Sequence, residues 1–126
     1  MNKNERKSLF LHKNNIDMLN YNQKIAVMRV LLDIIYADGR VDSRETSLFC
    51  KLMSELDLSE ESKEQIQRKS SLVSLLDIKN FSEEQKVYFA ELMDKMIKVD
   101  EDINVNEVVI YDVVMDYCGI PIPFTP

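Results

Sequence analysis

The chain has 126 residues, 45% hydrophobic and 30% charged, with two glycines, three prolines and a net charge of −6. That length supports one domain around one core, and so few turn-forming residues leave little room for β-hairpins. The acidity excludes phosphate-rich nucleic acid as a partner and offers no attraction to an anionic membrane surface.

Residues 1–20 form a short N-terminal segment. Its apolar run, Leu9-Phe10-Leu11, is too short for the core of a signal peptide. No stretch reaches the roughly 18 apolar residues of a membrane span, so no direct membrane insertion is expected. The pattern predicts one or two helical pieces broken near Asn14-Asn15, with Leu9, Phe10, Ile16 and Leu19 as docking contacts. From Asn22 to Ala37 the chain is apolar nearly all round except Arg29 and Asp33, which share one stripe; such a helix belongs inside a bundle. After an acidic bend, Leu48, Phe49, Leu52, Met53 and Leu56 mark the inner face of a second helix.

Ser59 followed by Glu60 and Glu61 opens the next helical stretch, with negative charge at the favourable end of the helix dipole. This stretch, to about Leu76, is polar first and is expected to dip inward at Leu72-Leu76. Ser82-Glu83-Glu84-Gln85 is a capping box for a long helix over Glu83–Val99, with Val87, Phe89, Leu92, Met93, Met96 and Ile97 as its stripe. The last element, Val105 to Cys118, is rich in β-branched residues and reads as a strand on propensity alone.

A repeat overrules that reading. Asp38-Gly39-Arg40-Val41-Asp42-Ser43-Arg44-Glu45 and Asp100-Glu101-Asp102-Ile103-Asn104-Val105-Asn106-Glu107 both follow D-x-x-[V/I]-[D/N]-x-x-E, 62 residues apart. The same shift maps Leu48, Phe49, Leu52 and Met53 onto Ile110, Tyr111, Val114 and Met115. A helix–acidic bend–helix unit therefore occurs twice, over about 22–58 and 84–120. Gly119 stops the last helix, and the proline-containing tail, 121–126, cannot continue it. The fold expected is all-α: a single domain over 1–126 of about six or seven helices with an internal pseudo-two-fold repeat, its two central helices nearly antiparallel.

Capping explains part of the acidic pattern, with Asp42 or Asn104 as N-cap and Glu45 or Glu107 three residues on. It does not explain Asp38 and Asp100, each a carboxylate at the negative pole of a helix. Two readings stay open: turn and cap alone, or an added divalent cation. Asp38, Asp42 and Glu45, and likewise Asp100, Asn104 and Glu107, are the candidate metal ligands; their hard oxygens suit Ca²⁺ or Mg²⁺. An ordinary EF-hand is excluded. Counting back from its last ligand places Ile34 and Tyr36, or Met96 and Lys98, where the loop needs oxygen donors.

The segment Tyr36-Ala37-Asp38-Gly39-Arg40-Val41-Asp42-Ser43-Arg44-Glu45, repeated after a second long helix, resembles the tellurite-resistance TerB family. It is also similar to the N-terminal domain of DjlA-type membrane co-chaperones; the likeness covers about residues 22–120. The resemblance implies a compact helical domain with an internal pseudo-two-fold, metal binding at the six positions above, five of them acidic and one Asn104, and a stress-response role through protein partners at the cytoplasmic side of a membrane. The chain departs from the pattern at Glu101, where the family's second bend has glycine. It also lacks the J domain of the co-chaperones.

Other chemistry is sparse. His12 is the one histidine and has no second histidine or cysteine near it in sequence, which argues against zinc or general-base work. Cys50 and Cys118 read as buried free thiols suited to a reducing compartment, the cytosol. No glycine-rich phosphate loop or nucleophile elbow is present. The expected function is a non-enzymatic, ion-dependent interaction or sensing module. The alternatives are a metal-dependent enzyme acting on a phosphate-bearing substrate, and a purely structural helical scaffold.

Overall fold

Hydrophobic periodicity and capping residues divide the chain into helices. The computed structural model describes residues 18–37 and 39–126. The expected helical pieces within residues 1–17, with Leu9, Phe10, His12 and Ile16, lie outside them, as does Asp38. The described residues form six α-helices and no strand: α1 Tyr21–Ile35, α2 Ser43–Glu55, α3 Glu60–Arg68, α4 Ser71–Lys79, α5 Glu83–Lys98 and α6 Val105–Cys118. The β-branched run of α6 is helical, with Tyr111, Val114, Met115 and Cys118 inside and Val105, Val109 and Val113 facing out.

The stretch expected to run from Glu60 to Leu76 as one piece is two helices. Lys69 is extended, and the Ser70 hydroxyl accepts the Val73 amide at 3.2 Å, so a new N-terminus starts there. That cap sets the rotation of α4. Ser74 and Ile78 are fully buried, whereas Leu72 is 65% and Leu76 47% exposed, the reverse of the expected inward face. Val87, expected on the inner stripe of α5, is likewise exposed. One core gathers α1, α2, α5 and α6, with Ile66 of α3, Ile78 of α4 and the flanking Leu19 and Phe81.

The central helices α1 and α5 do not run antiparallel. Gln23 and Gln85, each in the first turn of its helix, bond each other through their amides at 3.2 and 3.4 Å. Lys24 of α1 donates to the Leu56 carbonyl at the end of α2 (2.8 Å), so α2 returns alongside α1. The end of α2 also faces the start of α5, where Glu55 and Tyr88 line one cleft. Thus α1 and α5 set out together from one end of the bundle, and both acidic bends sit at the other.

The 62-residue spacing recurs in the backbone. N-caps Asn20 and Ser82 both form capping boxes, with Gln23 and Gln85. Gly39 (φ 77) and Glu101 (φ 64) share a left-handed conformation, as do Asp57 (φ 57) and Gly119 (φ 70). The amides that close α2 and α6 match as well: Leu58 to Met53 O and Ile120 to Met115 O, both 2.8 Å.

Candidate functional site

The first bend begins where α1 ends. Gly39 donates its amide to Tyr36 O at 3.1 Å and turns the chain. Asp42 then caps α2: its Oδ1 accepts the Arg44 amide at 2.7 Å, the second helical amide rather than the third used in a capping box. The Arg44 guanidinium closes on the same carboxylate, Nε to Oδ1 at 3.2 Å and Nη2 to Oδ2 at 3.3 Å. Those bonds from the Arg44 side chain, then its amide, hold the Asp42 carboxyl below the usual carboxylate range.

In the second bend Asp100 Oδ1 accepts the Asp102 amide at 3.1 Å, an Asx turn that places a positive partner beside the carboxylate at the helix end. Asn104 caps α6 as Asp42 caps α2, accepting the Asn106 amide at 2.8 Å. The sequence left open how this bend turns without glycine. Glu101 adopts the left-handed conformation itself and donates its amide to Lys98 O at 3.1 Å.

Glu45 and Glu107, the third residues of α2 and α6, are 2% and 1% exposed. A glutamate in the first turn of a surface helix ordinarily points to water, and burial of its charge demands compensation. That two in-register glutamates are both buried sets these bends apart from ordinary caps. The bends also share an end of the molecule. The Arg44 guanidinium is held protonated first by Asp42 and further by the charges of Asp100 and Glu101 in the other bend.

Of the six expected ligands, five are described and Asp38 lies outside the described residues. Among the described residues no group of three or more His, Cys, Asp or Glu side chains converges as a metal site. The donor chemistry fits a hard cation, but both oxygens of Asp42 are engaged by Arg44, which an incoming ion must displace. The cysteines differ from expectation: Cys118 is buried, with burial raising its thiol pKa, but Cys50 is exposed on the outer face of α2.

Two features escaped sequence reasoning. One is the Gln23–Gln85 seam, whose signal was the equal spacing of the two capping boxes. The other is a cleft of about 710 Å³ between α2 and α5, floored by Leu48, Leu52 and Leu92 and rimmed by Glu55, Tyr88 and Glu91. No single-helix pattern reveals a gap between two helices.

No protein-family model and no curated protein matches the chain. Among solved structures it is similar to the crystal structure of a protein of unknown function from Porphyromonas gingivalis W83. The TM-score is 0.69 and the identity 17%, covering 84% of this chain and 90% of that one. At that identity the likeness shows a shared fold alone. No helix among the described residues is long and apolar enough to cross a membrane.

Proposed function

We propose that this chain is a TerB-like, non-enzymatic module that binds a divalent cation at its acidic bends and a protein partner in a bacterial stress response. The observation that carries the reading is the matched burial of Glu45 and Glu107 in two bends that share one end of the bundle. Each of these glutamates brings carboxylate oxygen, the donor type that Ca²⁺ and Mg²⁺ take, to the start of a helix beside its bend. Asp38, Asp42 and Glu45 would hold the first ion, Asp100, Asn104 and Glu107 the second. The ion would rigidify the bends and so present one face to the partner. Arg44, which already binds Asp42 and feels the charges of Asp100 and Glu101, is the group an ion at either bend would compete with.

Thermal unfolding in EDTA, Ca²⁺, Mg²⁺ or Mn²⁺ tests the ion. A cation at 100 times its Kd that binds only the folded chain adds about 2.7 kcal/mol of stability. Glu107→Gln should abolish most of the increment. An unchanged melting temperature at millimolar concentrations of all three ions leaves capping as the whole explanation.

A further inference from the structure

Two neighbouring helices turn apolar ridges outward. On α6, Val105, Val109 and Val113 recur at every fourth residue and are 71%, 53% and 60% exposed. On α4, Leu72 and Leu76, also one helical turn apart, are exposed. Single exposed apolar residues are ordinary on a protein surface, whereas aligned ridges on adjacent helices form a patch.

The two ridges lie side by side. Helix α4 leads into α5 and so runs toward the end of the bundle where α5 starts; α6 leaves its bend at the other end and runs the same way. Cys118 Sγ donates to Leu75 O at 3.8 Å, and the Lys79 ammonium lies 4.9 Å from the centre of the Tyr117 ring. Two turns earlier on each helix stand Leu72 and the half-buried Ile110. The apolar surface thus continues across the seam, from Leu72 and Leu76 to Val109 and Val113.

Charge says what fits it. Asp112 and Asp116 each follow a ridge valine by three residues, which makes them its neighbours on the helix surface. Both are exposed, and neither has an ion pair among the described residues. The basic groups nearby are occupied: Lys79 over Tyr117, and Lys69 with Asp77 at 3.0 Å on the α1 side of α4. Two copies of this chain meeting α6 to α6 would set these aspartates against their own equivalents.

We propose that the α4–α6 face binds a helix of a partner protein whose apolar stripe is flanked by lysine or arginine. Its apolar side chains pack between the valine and leucine ridges, and its basic residues pair with Asp112 and Asp116. The proposal rests on the protein-partner part of the proposed function and is independent of the cation.

The probe is a fluorescein-labelled synthetic amphipathic helix of leucine and lysine, titrated with the full-length protein in EDTA and read by anisotropy. It should bind, with amide shifts in the protein centred on α4 and α6. Val113→Asp should weaken binding about tenfold. Val109→Ala with Val113→Ala should weaken it as well, and alanine favours the helix, so that loss does not report unfolding. Asp112→Asn with Asp116→Asn should weaken it several-fold and flatten its salt dependence. Val87→Asp, on the exposed surface of α5, should bind as the parent does. No binding, parent-like binding by Val113→Asp, or equal affinity for a helix of leucine and glutamate overturns the proposal. So does a dimer mass that Val113→Asp reduces to a monomer, which assigns the face to a second copy. A thermal shift with Ca²⁺ or Mg²⁺ alongside any of these results leaves the ion reading standing, so the two fail separately.

Discussion

Glu101 holds a left-handed backbone (φ 64) that costs an ordinary L residue about 1–2 kcal/mol and a glycine nearly nothing. Glu101→Gly should therefore stabilise the protein by about 1 kcal/mol, read as a higher urea midpoint at unchanged slope. Gly39→Ala should move the midpoint the other way by a similar amount. Nothing lies within 4 Å of a Cβ there, so that loss reports backbone strain without a clash. Asp42 supplies a pH signature. Its native pKa is lowered by Arg44, so its stabilisation is present above the unfolded value of about 3.9 and fades as pH falls through the lower native value. Asp42→Asn keeps an N-cap of the kind Asn104 provides. Acid titration of the variant should show a shallower stability loss below about pH 4. At this scale the N-caps Asp42 and Asn104 were legible in the sequence. The burial of Glu45 and Glu107 was not, because a first-turn glutamate points in or out according to what packs beside it.

Helix α4 shows how one cap decides a whole face. A sequence with Leu72, Leu75 and Leu76 side by side offers several inward faces, and hydrophobicity cannot choose among them. Ser70 starts the helix anew, and the interior then receives Ser74 and Ile78. Leu72→Ser should be nearly neutral, within about 0.5 kcal/mol, whereas Ile78→Ala should cost about 2–5 kcal/mol. Equal midpoint shifts for the two would contradict the assigned rotation. Arg29 ties this region to α1. Its guanidinium bonds Asp33 at 2.8 Å, the Gln67 carbonyl at 2.9 Å and the Ile66 carbonyl at 3.4 Å, which satisfies the C-terminus of α3. Arg29→Lys retains charge but loses the planar fork, so it should destabilise by about 1–3 kcal/mol. Its amide exchange should rise first in α3.

Across the molecule, helix identity was readable and direction was not. The repeat gave both long helices and their bends, yet periodicity carries no information about whether two helices run the same way. That depended on side chains 62 residues apart meeting in space. Burial across the fold can be timed through the two thiols. Cys50 should react with a disulfide reagent at the rate of an accessible thiol, and Cys118 only as fast as the protein opens. Comparable rates in native buffer would mean that α6 is not packed as described. Gln23 and Gln85 have a consequence for how the fold comes apart. Each amide completes a cap in its own half and bonds its counterpart in the other. Neither half can fray at that end without stranding a buried-edge amide of its neighbour. The two should melt in a single cooperative transition, and losing both glutamines should cost less than the sum of losing each.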